Sequence, residues 1–475
     1  RAAAVAGLGR PTCSHGRPLR RTLGGLQRCG LFRRHSSSSP RSLVLLDSTL
    51  SPTRQRGLHV LEIQVLARAN GASLRPLAGE DGWIWAVEAP TESTARAAAR
   101  ALAAQASALR GAIVDAVTGT DPASLVEAAR VPHAQQGRWA LRREAGGTKK
   151  ARRGTNGRET TAAISAALGA ALGGRPAPDG EAQRELSLVV LEDEEGSCFI
   201  LGRWVPADAG PDRAAAVDSW QERPFHFSSG LDFRVAEAAA TLALARPEAG
   251  LGGASREAAT RTLFLDPCCG SGTTLFCAAR SRLGAPEALA ALDVNARHLL
   301  GTLQNFRHAG LADGRVASPP TAAETTPTQA SAADRGQAFE EPIDLDPAPL
   351  SWRRAASGGP LIAVAARDAV KGLSVEPPQA RGPPWRLVGV ANLAWGVKQA
   401  TTPQRTSEVL MGLRQTFAAF PAVGPRRLCC ILGPEADAAA LLRGAGWTLA
   451  TPPTRVFRTN CRTRVLCSVT VAELE

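Results

Sequence analysis

Between Leu263 and Arg280 the chain reads Leu-Phe-Leu-Asp-Pro-Cys-Cys-Gly-Ser-Gly-Thr-Thr-Leu-Phe-Cys-Ala-Ala-Arg. An apolar run ends in Asp266, a tight turn carries Gly270 and Gly272, and Leu275, Phe276, Ala278 and Ala279 follow at helical spacing. That is a strand, a glycine-rich loop and a helix, the opening of a doubly wound α/β nucleotide site. The glycines let backbone approach a ligand closely, and the helix start offers unpaired N–H groups. The three-glycine dinucleotide pattern is absent, and so is the Gly-Lys-Ser/Thr ending of a phosphate-binding loop. Three further apolar runs end in polar residues: Ala288–Asp293, Leu361–Asp368, and Trp385–Ala391 followed by Asn392-Leu-Ala-Trp-Gly396.

The stretch Asp-Pro-x-Cys-Gly-Ser-Gly-Thr resembles motif I of class I methyltransferases that bind S-adenosylmethionine. The resemblance implies that Asp266, Cys268, Gly270, Gly272 and Thr273 contact the cofactor. It also implies that Asp293 holds the two ribose hydroxyls, which a carboxylate can accept together. Asp368 would then take the adenine amine. The blander readings are a helix cap at Asp293, before Asn295–Ala309, and a surface cap at Asp368. Amine methyltransferases carry (Asp/Asn)-Pro-Pro-(Tyr/Phe/Trp) after the fourth strand, and some RNA guanine-N2 enzymes use Asn-Leu-Pro-Trp-Gly, which 392–396 resembles. The resemblance makes Asn392, Leu393 and Trp395 the catalytic residues. The Asn392 side-chain oxygen and the Leu393 carbonyl would accept the two amine hydrogens, and Trp395 would stack on a flipped base. Ala394 departs from the pattern by replacing a proline, which loosens the loop's preset backbone. Taken alone, the same residues also read as a strand end capped by a core tryptophan.

Other elements must position these residues. Residues 1–42 hold nine Arg and no acid, nine of the net +13 charges of the 475-residue chain. That composition reads as an organellar transit peptide or a disordered basic tail. The start at Arg1 leaves the true N-terminus open. Residues 43–135 show a βαβ–βαβ rhythm, with strands at Ser42–Asp47, Trp83–Glu88 and Gly111–Val117 and helices at about 58–70, 92–109 and 121–129. This suits a ferredoxin-like domain. Residues 136–208 bring Trp139-Ala-Leu-Arg, a basic loop with Lys149, Lys150, Arg152, Arg153 and Arg158, a helix over about 158–172, and a hairpin at Leu186–Leu191 and Cys198–Gly202. This order resembles the end of a THUMP domain, an RNA-binding module of tRNA-modifying enzymes. The five cations would contact phosphate, unless they form an ordinary solvated turn.

A linker at 209–230 ends in Arg223-Pro-Phe-His-Phe-Ser-Ser-Gly230. It resembles the segment ahead of the catalytic domain in tRNA guanine N2-methyltransferases, where it helps form the floor of the cofactor pocket, so Ser228 joins the cofactor set. From residue 231 to 475 the chain predicts a Rossmann-like doubly wound sheet with an antiparallel last strand, the pair Val456–Thr459 and Thr463–Val471 closing it. Residues 315–359, rich in Pro, Ala, Thr and Ser, read mostly as a disordered insertion.

The ten cysteines lack C-x-x-C spacing and sit mostly in apolar patterns, which points to reduced core thiols in an intracellular protein and to no metal site. Cytoplasm or nucleus is the expected compartment, or chloroplast or mitochondrion if residues 1–42 are a transit peptide. No apolar run approaches membrane-spanning length. The whole pattern resembles a THUMP-containing tRNA guanine N2-methyltransferase. The resemblance implies tRNA as partner, S-adenosylmethionine as cofactor, and a small zinc-containing activator subunit. The rival readings are a DNA or protein N-methyltransferase and a non-catalytic RNA-binding relative.

Overall fold

The computed structural model describes residues 41–46, 56–77, 83–133, 138–145, 156–172, 175–176, 184–193, 196–207, 211–226, 231–246, 260–312, 350–354, 359–378, 382–393, 402–433, 437–458 and 465–474. The N-terminal half runs β1 (Ser42–Leu46), α1 (Arg56–Ala69), β2 (Ser73–Pro76), β3 (Ile84–Glu88), α2 (Glu92–Gln105) and β4 (Leu109–Gly119). These strands pair antiparallel in the order β2-β3-β1-β4, the ferredoxin-like arrangement. The chain continues with α3 (Pro122–His133), β5 (Arg138–Ala145), α4 (Asn156–Leu172), β6 (Arg175–Pro176), β7 (Arg184–Asp193) and β8 (Gly196–Pro206).

Residues 43–135 and 136–208, read from the sequence as two segments, share one sheet. β4 pairs antiparallel with β8, giving eight strands in the order β2-β3-β1-β4-β8-β7-β5-β6. Two glycines permit that junction. A Cβ on Gly111 would meet the Trp204 ring at 2.4 Å, and one on Gly202 would meet Ile113 Cγ2 at 2.4 Å. The second helix ends at Gln105, short of the expected Leu109, because the Glu62 carboxylate captures the Ser107 N–H at 2.9 Å and Leu109 is drawn into register with Leu46. The short strand β2, Ser-Leu-Arg-Pro, carries too little alternation to read as a strand from its sequence.

The expected linker at 209–230 contains α5 (Pro211–Gln221). Its Trp220 is buried and stacks on Phe276 at 4.3 Å between ring centroids. The second half follows with α6 (Phe233–Leu244), β9 (Arg261–Asp266), α7 (Thr273–Ala279), β10 (Ala288–Asp293), α8 (Ala296–His308), β11 (Arg353–Arg354), β12 (Leu361–Ala366), β13 (Trp385–Asn392), α9 (Pro403–Ala419), β14 (Arg426–Leu432), α10 (Ala438–Gly444), β15 (Thr448–Leu449), β16 (Thr454–Arg458) and β17 (Val465–Leu474). Within the expected insertion, Leu350 is buried and β11 pairs with β12, while residues 313–349 lie outside the described residues.

The second sheet has the order β11-β12-β10-β9-β13-β14-β17-β15, with β16 on β17. β12, β10, β9, β13 and β14 are parallel, and β17 enters antiparallel to β14. Numbered from β9, leaving aside the edge strand β11 and counting β15 and β16, which both pair with β17, as the sixth strand, this is the strand order 3-2-1-4-5-7-6 of the class I methyltransferase fold. The parallel strands are apolar on both faces, as burial under helices on both sides requires. One apolar core runs from Leu58, Ile63 and Leu102 of the first half through Val235 and Leu242 of α6 to Phe264 and Phe276. No helix among the described residues is long and apolar enough to cross a membrane.

Candidate active site

In an open parallel sheet, ligands bind beyond the carboxyl ends of the strands, where the strand order reverses. Here the reversal falls between β9, β10 and β13, and a cavity of about 250 Å³ opens there. Asp266, Asp293, Asp368 and Asn392, from the ends of four different strands, all line it.

The glycine loop is built by its backbone. Gly270 has φ 55° and Gly272 φ 82°, a left-handed conformation that costs glycine little. Gly272 is the N-cap residue of α7, and a Cβ there would meet Thr302 Cγ2 at 2.9 Å and Phe306 Cε1 at 3.0 Å. Thr273 is buried in the first turn of α7 and lines the cavity. Cys268 also lines it. Burial, then the charges of Asp293 and Asp266, push its thiol well above the ordinary range, so it is a protonated wall and not a nucleophile.

Asp266 is fully enclosed. One carboxylate oxygen accepts the Cys268 N–H at 3.0 Å and the other the Thr274 hydroxyl. Desolvation dominates those two bonds, and with the nearby Asp293 charge it lifts the carboxyl to about 7. A cationic ligand group would draw it back to the ionised form.

Asp293 Oδ2 accepts the Gly270 N–H at 3.0 Å, and Oδ1 accepts the Asn295 N–H at 2.9 Å and faces His298 Nδ1 at 3.3 Å. The cap of α8 is Asn295, whose side chain accepts from Arg297 N–H. Asp293 is thereby free of the capping role that was its blander reading, and its carboxylate is tied to the glycine loop. Asp368 is a cap and also a cavity wall. It caps a short 3₁₀ turn (Ala369–Lys371) by accepting the Val370 N–H at 3.0 Å, and it lines the cavity with Oδ2 3.7 Å from Arg405 Nη2.

Asn392 ends β13, and its Oδ1 is buried without a hydrogen-bond partner among the described residues. A buried amide oxygen left unpaired costs about 1–3 kcal/mol, so it is an acceptor waiting for a donor. Leu393 is fixed beside it, its N–H donating to the Ile431 carbonyl at 2.8 Å. Trp395, Ser228, Lys149, Lys150, Arg152 and Arg153 lie outside the described residues, and Arg158 falls in the first turn of α4.

The segment ahead of the domain is held by a residue outside the sequence-based site set. Asn305 of α8, fully buried, donates to the carbonyls of Phe225 (3.0 Å) and Ser271 (2.9 Å) and accepts the Phe225 N–H at 2.9 Å. Its side chain therefore ties the Arg223–Phe225 strap to the glycine loop. Gly301, one turn earlier, makes room for Phe225, since a Cβ there would lie 2.1 Å from the ring. Neither Asn305 nor Arg405 has a local sequence signal, because their partners, Phe225 and Asp368, lie in other elements.

No protein-family model matches the chain, and no curated protein matches it significantly. Among solved structures, TrmN from Thermus thermophilus is 16% identical, covering 91% of this chain and 99% of that one, with a TM-score of 0.37. A protein described as a predicted N6-adenine-specific DNA methylase from Listeria monocytogenes is 13% identical over 91% and 96%, with a TM-score of 0.36. SMU.472, solved in complex with SAH, is 10% identical over 91% and 98%, with a TM-score of 0.35. The fold is defined by the strand order above and not by these overlaps. In the class I methyltransferase fold this cavity is the place of S-adenosylmethionine, and the residues present fit it: an acid tied to the glycine loop, a second acid at the neighbouring strand end, and an unpaired amide oxygen beyond them.

Proposed function

We propose that the chain is an S-adenosylmethionine-dependent methyltransferase acting on the exocyclic N2 amine of a guanosine in tRNA. The observation that carries the reading is the buried, unpaired Asn392 Oδ1 at the end of the fourth strand, in the cavity shared with Asp266, Asp293 and Asp368. Asp293 would hold the ribose hydroxyls, Asp368 the adenine amine, and Asp266 the cationic end of the cofactor. When bound, the cofactor supplies an electrophilic methyl group on sulfur. A guanine amine is a poor nucleophile because its lone pair is delocalised into the ring. The work of Asn392 and the Leu393 carbonyl is to accept its two hydrogens, which draws the lone pair out of conjugation with the ring and points it at the methyl group. The gain is alignment for an in-line displacement, and the surplus proton leaves to solvent.

The N-terminal half, with its ferredoxin-like strands and Lys149, Lys150, Arg152, Arg153 and Arg158, would hold tRNA through phosphates and shape. The shared core between the halves supports a fixed distance from that surface to the pocket. A small zinc-containing activator subunit is a further partner in this reading, and the compartment follows from whether residues 1–42 act as a transit peptide.

The test is incubation of the chain with methyl-labelled S-adenosylmethionine and total tRNA, with and without the activator subunit, followed by digestion to nucleosides. Label in N2-methylguanosine is the expected result. Label in another nucleoside would overturn the guanine reading. No transfer under either condition, with tRNA binding retained, would make the chain a non-catalytic RNA-binding relative.

A further inference from the structure

Arg405 is absent from every role assigned so far, yet it lines the same cavity as Asp368. Its position is set by a rigid element. Thr402 caps α9 and its side-chain oxygen accepts the Arg405 N–H at 3.2 Å, which fixes the first turn. Glu408, three residues on, takes Arg405 Nη1 at 3.2 Å and steadies the guanidinium from the solvent side. The other end of the guanidinium faces Asp368, with Nη2 3.7 Å from Oδ2.

That spacing is too long for a hydrogen bond. The pair therefore sets an acceptor, Oδ2, and a donor, Nη2, side by side on the cavity wall. Asp368 Oδ1 is already committed to the Val370 N–H. An anion is a poor occupant, because three carboxyls, Asp266, Asp293 and Asp368, line the same cavity as Arg367 and Arg405. A neutral ring edge with a donor next to an acceptor is a good one. Adenine has such an edge, an amine hydrogen beside N1 on one side and N7 on the other. Paired side-chain contacts of this kind separate adenine from other bases.

We infer that Arg405 is a specificity-determining residue of the cofactor site. It donates to the adenine ring nitrogen adjoining the amine while Asp368 accepts from the amine itself. This rests on the reading of the cavity as an S-adenosylmethionine site. The two residues act as one reader, so the cavity rejects a cofactor whose amine is replaced by a carbonyl. Such a group would set oxygen against the Asp368 carboxylate.

Titration calorimetry on the full chain tests this, with SAH, S-inosylhomocysteine, and the 1-deaza and 7-deaza analogues of SAH, in the parent, Arg405→Ala and Arg405→Gln. SAH binding to the parent establishes the site. Its absence there would overturn the underlying reading of the cavity. Given SAH binding, one deaza analogue should bind the parent about tenfold or more weakly, the size of one hydrogen bond to a charged group. Arg405→Ala should weaken SAH by the same factor and that deaza analogue hardly at all, the coupling a double-mutant cycle isolates. Arg405→Gln, which keeps an N–H donor, should recover part of the loss. Both deaza analogues binding the parent as tightly as SAH, or Arg405→Ala weakening all four ligands equally, would overturn the inference.

Discussion

Asn305→Ala removes the side chain that ties the Arg223–Phe225 strap to the glycine loop. Three hydrogen bonds vanish together: those to the Phe225 and Ser271 carbonyls at 3.0 and 2.9 Å, and the one accepted from Phe225 N–H at 2.9 Å. Alanine supplies no replacement, and Asn305 is fully buried, so three backbone groups lose their partner. At about 1 kcal/mol net for each bond, with added cost wherever a group stays dry and unpaired, the loss is roughly 3–5 kcal/mol. Whether it shows as global instability depends on how tightly the strap is coupled to the rest. Two assays are therefore needed: urea unfolding, and hydrogen exchange at the Phe225 amide. We expect either a fall in unfolding free energy of that size, or a smaller fall together with loss of protection at Phe225. Asn305→Asp, which keeps an acceptor for the Phe225 N–H, should lie between parent and Asn305→Ala. A variant within 1 kcal/mol of the parent, with Phe225 still protected, would show that Asn305 does not hold the strap.

Gly301→Ala should cost about 1–3 kcal/mol by driving a methyl group into the Phe225 ring. In a Phe225→Ala background, unfolding measurements should show most of that cost gone. Asp266 predicts an unusual pH dependence of stability. Its carboxyl titrates near 7 in the folded state against 3.8 ordinarily, so the folded chain binds the extra proton between those values. The stability it contributes is complete below about pH 4 and is lost as pH rises through 7, on the order of 3–4 kcal/mol in the ligand-free protein. Urea unfolding at pH 5 and 8 should show roughly 2–3 kcal/mol of that fall, the rest being lost already below pH 5, relative to Asp266→Asn, in which the step is absent. Asn392→Ala should leave SAH affinity within a few-fold of the parent while lowering methyl transfer to tRNA by about a hundredfold or more, measured by label incorporation at saturating cofactor.

Much of the second half was legible because its signals are local. An apolar strand, a turn that needs glycine at positive φ and a helix start lie within the eighteen residues from Leu263 to Arg280. The acids at 266, 293 and 368 fall at the ends of apolar runs, where the sheet delivers them to one edge. What escaped was non-local. The pairing of β4 with β8 joins residues nearly ninety positions apart, and nothing in either strand announces its partner. α5 reads as a linker because its polar residues surround a single Trp220, whose burial depends on Phe276 in another element. Asn305 has an ordinary helical context, and only the strap passing over α8 gives it three partners. Arg405 reads as one more surface cation until the helix cap at Thr402 turns it toward Asp368. The sequence also left Asp293 open between a helix cap and a ribose ligand; Asn295 takes the cap, and Asp293 instead accepts the Gly270 N–H.

We propose that one cavity holds the cofactor through the acids of the second and third strands and keeps the fourth-strand asparagine for the substrate. SAH titration by calorimetry into the parent, Asp293→Ala and Asn392→Ala tests that division of labour most directly. We expect one site per chain in the parent, affinity lower by more than about tenfold in Asp293→Ala, and near-parent affinity in Asn392→Ala. No binding to the folded parent, or equal binding by parent and Asp293→Ala, would contradict it.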